Sequence, residues 1–270
     1  MDESLRRQYL EAMGVESWVP RPPGGNPSAA DESPAADRPA VVMPLESAAD
    51  AGPPPWLEEV PLPTEEWVST EMPEAEVVDE IASLDWPTLA HRVSQCTACE
   101  LHAGRQNTVF GVGDQSADLM VIGEAPGAEE DRQGEPFVGR AGQLLNAMLL
   151  AVGLQRDQVF IANILKCRPP DNRDPRPEEA LKCESFLRRQ VALVQPRVIL
   201  AVGRVAAQNL LKSQEAVGKM RGKAFQFEGI PVVVSYHPAY LLRSPEQKAK
   251  AWQDLQCVAG LLEKNGVRVK

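Results

Sequence analysis

No apolar run in this 270-residue chain approaches the roughly 20 residues needed to cross a bilayer, which argues against a helical membrane span. The first residues are charged rather than leader-like, so export is not expected and a cytoplasmic location is. Bases are scarce early on: residues 1–85 hold 19 Asp/Glu against 4 Lys/Arg, a net of −15, while the rest carries 19 acids against 24 bases, a net of +5. Periodic apolar content is scarce there too, although 13 of the 24 prolines fall in that stretch. Such a segment cannot bury enough surface to offset its chain entropy. The expectation is a short amphipathic peptide at 1–19, a disordered acidic linker at 20–80, and one globular, monomeric domain at 81–270.

A second tight cysteine pair is also missing. Cys96-x2-Cys99 is close-spaced, but 15 residues separate Cys167 from Cys183. Thiolates suit zinc or iron–sulfur clusters, and four of them brought together by folding would complete either centre. Structural zinc more often uses two tight knuckles, so the spacing leans towards iron–sulfur without choosing the metal. The competing reading is buried core thiols. That reading is preferred for the fifth, Cys257, which lies in an apolar helical pattern near Trp252 and Leu255. In a chain without an export leader, such cysteines argue for metal over disulfides.

Short β-branched runs at 118–122, 159–162, 198–202 and 230–234 read as buried strands. Helical patterns lie between and after them at 141–152, 177–194, 205–211 and about 245–262. The alternation predicts an α/β fold, a mostly parallel sheet with helices on both sides and ligands at the carboxyl ends of its strands. The first strand runs into Gly123-Glu124-Ala125-Pro126-Gly127, where glycines permit a tight turn and close backbone approach. The second ends at Asn163, just before Lys166-Cys167-Arg168-Pro169-Pro170, and the fourth at Ser235-Tyr236-His237-Pro238-Ala239. Singly these read as a turn, a backbone cap and a structural histidine. Together they point to one crevice.

Those motifs, with Glu135-Pro136-Phe137-Val138-Gly139-Arg140-Ala141-Gly142, Asn172-Arg173 and His237-Pro238-Ala239-Tyr240-Leu241-Leu242-Arg243, resemble the family 4 uracil-DNA glycosylases over residues 90–260. The resemblance implies a three-layer α/β/α sandwich, a [4Fe–4S] cluster on Cys96, Cys99, Cys167 and Cys183, and removal of uracil from DNA to leave an abasic site. It further implies that Glu124 positions water, Gly123 and Phe137 receive the extruded base, Asn163 reads its edge and His237 stabilises the leaving base. A base inside a duplex is out of reach, so flipping, stacking and edge reading are what the chemistry requires. The tip Leu241-Leu242-Arg243 resembles a wedge that fills the vacated stack, with Arg243 on the backbone. Arg221 and Lys223 either contact phosphates or form a basic turn.

Two other functions stay open. Leu5, Tyr9, Leu10 and Met13 fall near helical spacing, with Trp18 close behind, and residues 6–18 resemble the N-terminal peptide of the psi subunit of bacterial DNA polymerase III. That implies a clamp-loader partner, or a non-catalytic replisome subunit built on a glycosylase fold. A related group becomes covalently trapped on uracil-DNA, but it carries Gln where this chain has Ala125 and an extra basic loop not found here.

Overall fold

The computed structural model describes residues 80–267. The peptide at 1–19 and, Glu80 excepted, the linker at 20–80 lie outside them. Helix α1 (Trp86–Ser94) opens the domain, with the Asp85 carboxylate accepting the Thr88 N–H at 3.0 Å as its cap. There follow β1 (Val112–Gly113), β2 (Leu119–Gly123), α2 (Ala128–Gln133), α3 (Arg140–Ala151), β3 (Phe160–Asn163), α4 (Pro177–Val194), β4 (Val198–Val202) and α5 (Arg204–Leu211). The chain closes with α6 (Val217–Met220), β5 (Phe225–Phe227), β6 (Ile230–Ser235), α7 (Pro238–Arg243) and α8 (Lys248–Lys264).

The strands form one sheet in the order β1-β3-β2-β4-β6-β5, the inner four parallel and both edges antiparallel. Strands β2, β3 and β4 are buried throughout, which is why they read as unbroken apolar runs. Side chains alternate across the sheet. Met120, Ile122, Ile199 and Ala201 join one core with α4 and α5, whereas Leu119, Val121, Leu200 and Val202 join another with α3 and α8. The expected three layers are therefore present. The chain leaves β2 for β3 on one side and returns to β4 on the other, so the carboxyl end of β2 is a topological switch point where such sheets bind ligands.

Two expectations are corrected here. Cys257 is exposed, because α8 buries Ala251, Asp254, Leu255, Val258 and Leu262 and turns that thiol away. Helix α8 begins at Lys248, after a separate 3-10 turn at Pro245–Gln247.

Candidate active site

At the switch point Gly123 ends β2, beside Asn163 at the end of β3. A Cβ on Gly123 would lie 2.4 Å from Asn163 Oδ1 and 2.6 Å from Phe137 Cζ, so only glycine lets these two side chains meet. Phe137 adopts φ +53°, a left-handed conformation rare for a bulky residue. Its surroundings hold it there. Arg156 donates to the carbonyls of Pro136 at 2.5 Å and Phe137 at 3.2 Å, while Glu130 Oε1 accepts the N–H groups of Val138 and Gly139, both at 3.0 Å. On α3, Gly142 leaves room that a side chain would deny, since a Cβ there would lie 1.8 Å from the Phe137 carbonyl oxygen.

A crevice of about 560 Å³ opens over these residues, lined also by Glu124, Arg204, Asp174, Tyr240 and Arg243. His237 forms part of its wall, its ring stacked on Phe137 with centroids 5.6 Å apart and planes at 28°. The imidazole caps α7: its Nδ1 accepts the Ala239 N–H at 3.1 Å. With Nδ1 used as acceptor, the neutral ring carries its proton on Nε2, and this tautomer follows from the hydrogen bond. Burial, helped by Arg243 and opposed by Glu130, lowers the His237 pKa to about 4. Near neutral pH it is therefore an uncharged donor. Glu124 is pushed up to about 7, first by burial and then by Asp174, with Arg204 opposing. Asn163 is 2 % exposed, and its Oδ1 has no hydrogen-bond partner. A buried acceptor left open is costly unless a ligand completes it.

Of the residues expected at the site, Glu124, Phe137, Asn163, His237 and Arg243 line this one crevice, with Gly123 beneath. Leu242 is 37 % exposed, whereas Leu241 is buried at 1 %, so the wedge reading loses Leu241 to the core. Arg221 is corrected as well. Its side chain is 11 % exposed, bonds Asp254 at 2.7 Å and lies over the Tyr236 ring, which leaves little for a phosphate. Lys223 pairs with Glu215 at 3.1 Å and does not line the crevice. Sequence reasoning missed Glu130, Arg156 and the 2.6 Å Arg204–Asp174 pair. Gly203-Arg204 directly follows the third predicted strand, and that strand-end position is the signal the sequence carries for Arg204.

None of the four cysteines of the expected centre is in a disulfide; Cys167 and Cys183 are buried and Cys99 packs against the same core. Burial raises Cys167 and takes Cys183 to about 11; Cys99 acts electrostatically on both, and Cys96 on Cys167. Arg105 donates to Cys167 Sγ at 3.1 Å and to the Cys96 carbonyl at 2.8 Å. Among the described residues no three His, Cys, Asp or Glu side chains are grouped to hold one metal ion. A lone tetrahedral zinc would need sulfurs about 3.8 Å apart, from Zn–S bonds of about 2.3 Å. A cubane spreads the same four thiolates more widely over its corners. In donor chemistry four thiolates suit either centre.

An aromatic face, an open amide acceptor and an uncharged imidazole around one crevice are chemically suited to a planar heterocycle with a donor on its edge. The model of the Uracil DNA glycosylase superfamily matches residues 110–256. The type-4 uracil-DNA glycosylase of Archaeoglobus fulgidus is 41 % identical over 184 residues, covering 65 % of this chain and 92 % of that protein. That of Thermotoga maritima is 40 % identical over 182 residues, covering 66 % and 95 %. A type-5 uracil-DNA glycosylase of Pyrobaculum aerophilum is 36 % identical over 146 residues, 48 % and 64 % of the two chains. The chain thus belongs to the uracil-DNA glycosylase superfamily and, within it, to the type-4 family.

Proposed function

We infer that the protein is a DNA-repair hydrolase that flips uracil out of DNA and cleaves its N-glycosidic bond, leaving an abasic site. The observation that carries the reading is the open Asn163 Oδ1 beside the Phe137 ring. Uracil offers an N3–H to that acceptor and an O4 to the amide donor, where cytosine has no N3–H and carries an amine at position 4. As the glycosidic bond stretches, negative charge grows on the base and positive charge on the sugar. The neutral His237 would donate Nε2–H to the base oxygen, a contribution of about 3–4 kcal/mol by comparison with oxyanion donors. Glu124, as the carboxylate, would orient water towards the sugar carbon and oppose its charge.

Cys96, Cys99, Cys167 and Cys183 would hold a [4Fe–4S] cluster, supplying a structural cross-link, since hydrolysis of this bond transfers no electrons. Arg243, which lines the crevice, would meet the DNA backbone, the exposed Leu242 next to it in the chain would enter the vacated stack, and Lys223 would add a phosphate contact in place of its pairing with Glu215. Residues 1–19 as a clamp-loader-binding peptide rest on sequence alone; pulldown of clamp-loader proteins with and without those residues tests that reading. The catalytic reading is tested with His237→Ala. The variant should still retain uracil-containing oligonucleotide in preference to its thymine counterpart, with excision about 100- to 1000-fold slower. Lost binding with unaltered single-turnover excision would contradict the assigned role.

A further inference from the structure

Lys166 lies in the loop between Asn163 and Cys167 and is 1 % exposed. Its Nζ donates to the Asn163 carbonyl at 2.9 Å and to Gln190 Oε1 at 2.6 Å, and Gln190 Nε2 donates onward to the Phe110 carbonyl at 2.9 Å. Neither acceptor is a carboxylate. A buried ammonium needs a counter-charge, because desolvation of an isolated ion is strongly unfavourable. Lys166 directly precedes Cys167, and its partner Gln190 lies on α4 seven residues after Cys183, both thiols being buried in the same core. Arg105 bonds the Cys167 sulfur. Four thiolates around either a dication or a 2+ cluster leave a net charge of −2, which these two cations match.

We propose that Lys166 is a positioning residue that couples the cysteine centre to base reading: its ammonium is the internal counter-ion of the thiolates and also holds the carbonyl of Asn163. The inference rests on the metal reading given under the proposed function. Fixing that carbonyl fixes the end of β3, and with it the direction of the Asn163 amide. Losing the thiolate charge leaves the ammonium uncompensated and drives it towards water, releasing the strand end. If Lys166 merely satisfied two acceptors in a loop, metal content and uracil binding would vary independently.

The test uses the full chain purified anaerobically as wild type, Lys166→Met and Gln190→Glu. It measures iron per chain, the rate of iron loss to a chelator, and inhibition of excision by free uracil. Lys166→Met should lose iron at least tenfold faster and be inhibited by uracil at least tenfold more weakly. Wild type stripped of iron, with its helical circular dichroism retained, should show the same loss of uracil binding. Gln190→Glu keeps the lysine but sets a rival carboxylate beside it, so iron loss should quicken at least threefold; this variant decides the matter if Lys166→Met does not fold. Unchanged iron loss in the folded variants, or stripping that leaves uracil inhibition intact, overturns the proposal. A wild-type chain without iron would overturn the metal reading and this inference with it.

Discussion

Replacing Glu124 by Gln should make the protein more stable and less active, and the stability gain should depend on pH. In the folded chain burial holds the Glu124 proton up to about pH 7, whereas an ordinary glutamate releases it near 4.5. Between those values the folded state binds more protons, so its stability falls as pH rises, with the full loss present above about 7. The roughly 2.5-unit difference would correspond to about 3 kcal/mol at about 1.36 kcal/mol per unit; the carboxylate faces an open crevice, so about half, roughly 1.5 kcal/mol, is expected. For a domain of this size that is about 3 to 6 °C in Tm. Glutamine resembles the protonated acid, so the gain should appear at pH 8 and vanish at pH 4. Thermal unfolding of the two metal-loaded proteins at both pH values measures it. Wild-type excision should rise about tenfold per pH unit below 7 and level off above, while the variant should be slow and flat. A Tm gain equal at both pH values, or no titration of wild-type activity near 7, would refute the assignment of Glu124 as a buried carboxylate whose ionised form acts.

Asn163→Asp should narrow the preference for uracil over cytosine, because a protonated carboxyl can accept an exocyclic amine; competition between the two bases in otherwise identical oligonucleotides measures this. Arg221→Met should cost about 3–5 kcal/mol of stability by leaving the Asp254 carboxylate buried and unpaired, yet leave the salt dependence of DNA binding unaltered. Arg243→Ala should instead lower the slope of log affinity against log salt by about 0.9, as expected for one lost phosphate contact. Cys257→Ala should leave iron content unchanged, since that thiol is exposed on α8, whereas Cys183→Ala should deplete iron and impair folding.

The four inner strands and the long helices were legible because β2, β3 and β4 are buried on both faces and the helices keep one apolar side. Edge strands β1 and β5 span two and three residues, too short for any alternation to register. The strand-end residues were legible as chemistry, because the switch point turns three separated motifs towards one place. Arg156 and Glu130 were not. Each acts on backbone atoms of another segment, so only the folded loop gives them their role. The basic run around Arg221 misled for a related reason, since its partner Asp254 lies 33 residues away on α8. Cys257 carried a helical pattern without the phase that decides which face is buried.

The central claim is that this crevice cleaves uracil from DNA. The most direct measurement incubates the iron-loaded full chain with an oligonucleotide containing one uracil and quantifies free uracil by chromatography alongside alkali-labile abasic sites. The account predicts equal amounts of both, from uracil-containing DNA and not from its thymine counterpart, with release strongly slowed in His237→Ala. Intact oligonucleotide after prolonged incubation with iron-loaded protein, or uracil release that His237→Ala leaves unaltered, would contradict it.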